Sequence, residues 1–316
     1  QNTYTLTTTA ANGTITKSPN QASYTYGTTV TLTAAANAGY SFGSWSGDAA
    51  GTANPVTITL DNDKAVTANF TQNTYTLTTT ASNGTVTKSP SQASHTYGET
   101  VTLTAAANTG YSFGSWSGDA SGSTNPVTIT INGNKAVTAN FTQNTYTLTA
   151  TATGGTVTRN PSKTAYTHGE SVTLTVTPTT GYSFAGWSGD LTGSTNPTTI
   201  VMTADKSVAA ACSQNTYTLT TTANYGTITR NPDETSYTHG ESVTLTAVPA
   251  EGYTFSGWGG NLSGTTNPAT VTMTADKTIS AGFTAKTYTL TVTAPNAVVT
   301  KSPLKALYEH GDTVQL

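Results

Sequence analysis

The chain has 316 residues, a net charge of −3 and 9% charged residues, against roughly 25% in an ordinary globular protein. So weak a field, with no basic cluster, excludes a nucleic-acid or anionic-membrane surface. A single cysteine excludes an intrachain disulfide.

Strict alternation of apolar and polar residues separates the chain from disordered sequences of similarly low charge. No signal peptide, membrane span or sorting motif is present in this stretch.

One period organises everything. Trp45, Trp116, Trp187 and Trp258 follow one another at steps of 71 residues, and Tyr4, Tyr75, Tyr146, Tyr217 and Tyr288 do the same. A fixed period this long describes an array of small domains rather than a solenoid of single hairpins. The copies are 1–71, 72–142, 143–213 and 214–284, with a partial fifth at 285–316. The last residues match Val30 to Leu32, so the sequence reads as a piece of a longer chain with both natural ends outside it.

Within copy one, Tyr4, Leu6 and Thr8 alternate with threonines, a period-2 strand. Asn12-Gly13 between alternating runs predicts a tight hairpin turn, and Pro19 ends the second strand. Tyr24 and Tyr26 precede Gly27, which predicts a tight turn. A strand follows over Thr28 to Ala36, and Asn37-Ala38-Gly39 turns into the aromatic strand Tyr40 to Trp45. A Gly/Ala/Thr loop closes on Asn54-Pro55. Val56, Ile58 and Leu60 make another strand, Asp61 to Lys64 a polar turn, and Val66, Ala68 and Phe70 the last strand.

About seven short strands without helical periodicity predict a small all-β sandwich, roll or barrel-like module. A module of about 70 residues buries only about 60% of its unfolded surface, so its Tyr, Phe and Trp must supply much of the stability. Linkers such as Thr71 to Thr74 are short, which predicts a stiff, elongated rod advancing on the order of 30–40 Å per module.

In copy three the landmarks are Tyr146 to Thr149, Gly155 to Thr158, Gly169 to Thr175, Gly181 to Asp190 and Asp205 to Val208. This combination resembles the divergent internalin-type B-repeat family, found in tandem in large microbial surface and secreted proteins. The resemblance covers the whole chain. It implies a compact β-sandwich or β-grasp-like module serving as stalk, spacer or adhesive unit, and no catalytic residue.

An active site repeated with the array would need shared residues, and none qualifies. Copy one has no histidine and no glutamate, while His95, His168 and His239 are each alone in their copies. The segment therefore reads as non-enzymatic. Cys212 takes the slot of Phe70, Phe141 and Phe283 and reads as a small core residue.

Asp61 and Asp63 are candidate calcium ligands, although copy three holds Thr203 and Asp205 there; no other cofactor is expected. Tyr40, Trp45 and Asp48 have the residue types that contact glycans. The competing reading places Trp45, Trp116, Trp187 and Trp258 in module cores and makes Asp48 a turn cap. Lys64, Lys135, Lys206 and Lys277 recur where a crosslinking lysine could sit, but no recurring buried acid is evident to assist them, since Glu99, Glu170 and Glu241 correspond to Thr28 in copy one.

The threonine faces suit a solvated sheet, and without lysine at their edges they invite strand addition between copies. The expected function is an extracellular structural or adhesive stalk on a microbial surface, with neighbouring repeats, other copies of the chain and matrix glycans as partners, and neither nucleic acid nor membrane contacted. A self-assembling filament or sheath is the alternative, and a carbohydrate-binding array the second.

Overall fold

A computed structural model describes residues 1–316 and contains no helix. The chain divides into two units, Gln1–Thr145 and Tyr146–Leu316. Modules one and two fill the first unit. Modules three and four and the partial fifth fill the second.

Module one consists of β1 (Thr3–Tyr4), β2 (Leu6–Ala10), β3 (Gly13–Ser18), β4 (Tyr24–Thr25), β5 (Thr28–Ala36), β6 (Tyr40–Gly47), β7 (Val56–Leu60) and β8 (Lys64–Gln72). These make two three-stranded sheets, β2-β8-β6 and β3-β5-β7, and a two-stranded ribbon of β1 and β4. The inward faces of both sheets meet in one core of Leu6, Val30, Leu32, Trp45, Ile58, Leu60, Val66 and Ala68, which is a sandwich. The other three complete modules repeat this order and have their own cores.

The first predicted strand is split: β1 pairs with β4, whereas β2 pairs in parallel with β8, Leu6 opposite Lys64 and Ala10 opposite Ala68. A parallel pair needs a long crossover, and here the crossover is the whole of the second sheet. The last strand of the module, β8, therefore lies between β2 and β6.

The Asn12-Gly13 hairpin does not form, because β3 pairs with β5 and not with β2. The dipeptide is instead a corner between sheets. Asn12 takes the positive φ of 65°, and Asn12 O accepts the N–H of Asn37 at 3.0 Å. Gly13 serves packing: a Cβ there would lie 2.4 Å from the Phe70 ring and 2.7 Å from Ala35 O.

A bulge at Gly43 decides the core. Strict alternation puts Phe42 and Trp45 on opposite faces. The register shift between Phe42 and Ser44 pairs Phe42 with Phe70 and Trp45 with Ala68, so the two rings meet at 5.1 Å inside the sandwich. The same shift recurs at Phe113, Phe184 and Phe255.

Candidate functional site

The recurring aromatic strand carries most of the singled-out residues, and the sheets aim them inward. Trp45 is 3% exposed; its indole N–H donates to Ala53 O at 2.8 Å and its backbone N–H to Gly51 O at 2.9 Å. Trp116, Trp187 and Trp258 are buried with the same indole bond, to Thr124, Thr195 and Thr266 O. A sugar-stacking surface of Tyr40, Trp45 and Asp48 is thus not assembled, since the largest ring presents no face to solvent.

Asp48 bonds outside its own turn through its carboxylate. It reaches across to the start of β8, accepting the Ala65 N–H on Oδ2 at 2.7 Å while its own N–H donates to Ala65 O at 2.8 Å. Asp119 and Asp190 repeat the bond, and in module four Asn261 Oδ1 accepts the Thr278 N–H at 2.7 Å. The position needs an acceptor and not a charge, which explains why Asn serves there.

Asp63 holds the split between β1 and β2. Its Oδ1 accepts the Thr5 N–H at 2.7 Å and the Thr5 hydroxyl at 2.9 Å. Asn134, Asp205 and Asp276 do the same for Thr76, Thr147 and Thr218. Asp61 is paired with Lys64 Nζ at 2.8 Å. Both carboxylates thus face protein donors, Asp63 the Thr5 N–H and hydroxyl and Asp61 the Lys64 ammonium.

The Thr5 N–H and then its hydroxyl hold the Asp63 carboxyl below its ordinary value of 3.8. Its contribution to stability is therefore complete above that value and lost as pH falls further. Asp63→Asn should keep both bonds, as Asn134 does, leave the melting temperature at pH 7 nearly unchanged and reduce the loss of stability on acidification. Melting curves of parent and variant at neutral and acid pH check this; an equal acid loss in both would refute it.

Two recurring anchors carried no recognisable signal in the sequence. The Asn54 amide pairs with both backbone groups of Ala34, accepting its N–H at 2.9 Å and donating to its O at 2.8 Å, so one side chain imitates a strand partner. Asn125, Asn196 and Asn267 repeat it. Lys17 Nζ donates to Leu6 O at 3.0 Å, a role passed to Lys88, Arg159, Arg230 and Lys301. Thr5 O already accepts from Lys64 N on the β8 side, so the next carbonyl along the strand points to the unpaired edge of the sheet. At this one edge of each module the expectation of an unguarded strand is modified, because a cation covers the Leu6 carbonyl and its equivalents.

Of the four recurring lysines near the last strand, Lys64 pairs with Asp61 and Lys135 with Asp119 at 3.2 Å. Cys212 is half-buried against the core of module three. His95 is wholly buried where other modules have tyrosine.

Consecutive modules within a unit are joined by a clasp at the foot of the aromatic strand. At the first joint Asn73 N–H donates to Gly39 O at 2.8 Å, the Ser41 hydroxyl to Asn73 Oδ1 at 2.7 Å, and Gln72 Nε2 to Tyr97 O at 3.3 Å. The Tyr97 ring covers Gly39 so closely that a Cβ there would sit 2.2 Å from it, and Gly39 has φ +81°. Tyr26, at the same place in module one, is 66% exposed. Between modules three and four, His239 covers Gly181 and Asn215 N–H donates to Gly181 O at 2.8 Å. Into the fifth copy, His310 covers Gly252 and Lys286 N–H donates to Gly252 O at 2.7 Å.

A family model described as the divergent InlB B-repeat domain matches residues 4–74, 75–145, 146–216 and 217–287. Comparison with curated proteins found no match. Among solved structures, the Bacillus anthracis TIE protein aligns at a TM-score of 0.36 and 7% identity, over 84% of this chain and 65% of that one. The chain thus spans less than two thirds of that protein's length.

Proposed function

We propose, from the premise that the chain belongs to the divergent InlB B-repeat domain family, that it is a non-enzymatic spacer within a bacterial surface or secreted protein. The family is associated with bacterial surface proteins and is not enzymatic in general. The observation that carries the reading is the clasp, which makes each linker inside a unit part of a hydrogen-bonded joint closed by a ring on a glycine. A spacer must transmit position from one module to the next, and a joint with hydrogen bonds and a ring packed on a glycine does so better than a free linker.

The second reading, a polymer built by strand addition, draws on β2 and its equivalents, which are short, threonine-rich edge strands. The cation across Leu6 O opposes it.

Electron microscopy of the chain over a range of concentrations separates the two. Separate beaded particles at a spacing on the order of 30–40 Å are expected, and ordered fibres would reverse the ranking. Gly39→Ala strains the left-handed backbone and drives a methyl into Tyr97. It should free the first joint, seen as faster decay of NMR order between modules one and two with both modules still folded. An unchanged joint would remove the clasp as the basis of stiffness.

A further inference from the structure

Module four differs from its siblings on one surface. At the corner where modules one and two place Asn12 and Asn83, and module three Gly154, module four places Tyr225, with φ 63°. Asparagine and glycine enter this backbone region readily, whereas a bulky aromatic residue there is an outlier. The ring is 62% exposed and is held by stacking on Tyr253, centroids 4.6 Å apart and planes 8° from parallel. One face is thereby fixed against the protein and the other is left to solvent.

Beside the ring lies an open groove of about 300 Å³, lined among others by Thr222, Asn224, Tyr225, Ser280, Gly282 and Phe283. Gly282 stands where modules one and two have Asn69 and Asn140, whose amides fill this face by donating to Ser46 and Ser117 at 3.0 Å. The groove falls at the small end of ligand pockets, roughly 300–1,000 Å³, room for one or two sugar rings. Its polar groups are hydroxyls and an amide, and no charged residue lines it.

We propose that this groove is a binding subsite for a neutral oligosaccharide, one pyranose ring stacking on the free face of Tyr225. The C–H face of a pyranose carries partial positive charge and matches the negative face of an aromatic ring. Thr222, Asn224 and Ser280 supply neutral donors and acceptors for its hydroxyls. A phosphate-bearing ligand finds no cation in the lining. The subsite belongs to module four alone and differs from the buried Trp45 set. It adds a contact to the spacer without depending on the spacer reading.

The test is saturation-transfer NMR on the whole chain with cellotetraose, chitotetraose and maltotetraose as probes and decaproline in parallel. At least one oligosaccharide should receive magnetisation on its ring protons. Tyr225→Asn, which installs the residue of modules one and two, should weaken binding at least about tenfold. Gly282→Asn refills the groove from the opposite side and should do the same, so the test survives if either variant misfolds; tryptophan emission reports the fold. No transfer to any of the three sugars, binding unchanged in the folded variants, or transfer to decaproline alone would each overturn the proposal.

Discussion

Trp45→Ala is expected to unfold module one near room temperature while the other modules remain folded. Loss of a buried tryptophan costs about 3–5 kcal/mol, and the Ala53 carbonyl left without the indole N–H adds about 1–3 kcal/mol. Folded domains hold roughly 0.05–0.15 kcal/mol per residue, so about 70 residues carry on the order of 4–10 kcal/mol. The loss is comparable to the whole. Trp45→Phe should cost less, because it keeps a ring against Phe42 and forfeits the hydrogen bond. Amide NMR spectra and urea unfolding of the chain check this: the signals of one module should collapse in the alanine variant. If the variant keeps its spectrum and its unfolding midpoint, Trp45 is not structural and a surface role would return.

His95→Tyr should act in the opposite direction and stabilise module two. In module one the Tyr24 hydroxyl donates to Pro19 O at 3.0 Å and accepts the Gln21 N–H at 3.1 Å; Tyr166 and Tyr237 do the same in theirs. His95 is wholly buried, with Nδ1 2.9 Å from Glu99 Oε1 and no partner for Nε2. A carboxylate only accepts, so in the neutral ring Nδ1 carries the proton and Nε2 is a buried acceptor without a donor. Removing that orphan and restoring the bond to Pro90 O should gain about 1–3 kcal/mol. At about 4–8 °C per kcal/mol for a domain of this size, the module should melt several degrees higher.

The same exchange should change the response to acid. The hydrogen bond from His95, and after it the Thr96 N–H, holds the Glu99 carboxyl below its ordinary 4.5. A lowered acid stabilises the fold above its unfolded value and loses that contribution as pH falls through the folded one. The variant removes the larger cause, so its acid loss below about pH 4.5 should be shallower. Calorimetry of the chain across that range measures both effects. A lower melting temperature in the variant would show that the histidine pocket cannot take a phenol.

The 71-residue period, the all-β class and nearly every strand could be read from the chain alone, because alternation and turn residues are local signals. So could the family. Pairing could not. The Asn12-Gly13 signal is real, but the residues it joins belong to different sheets, since β2 finds its partner at the far end of the module.

The candidate site followed the same division. The sequence by itself determined that Trp45, Asp48 and Asp63 recur, and that the chain repeats a structural unit with no shared catalytic set. Only the tertiary structure decided what those residues do. A one-residue bulge turns Trp45 inward against the period-2 pattern, and Asp48 and Asp63 bind backbone groups 17 and 58 residues away. The clasp at Gly39 exists only once the next module places Tyr97 over it. Local periodicity specifies which residues are extended. Hydrogen-bond partners across long sequence separations specify which face they show, and that is settled when the sheets close.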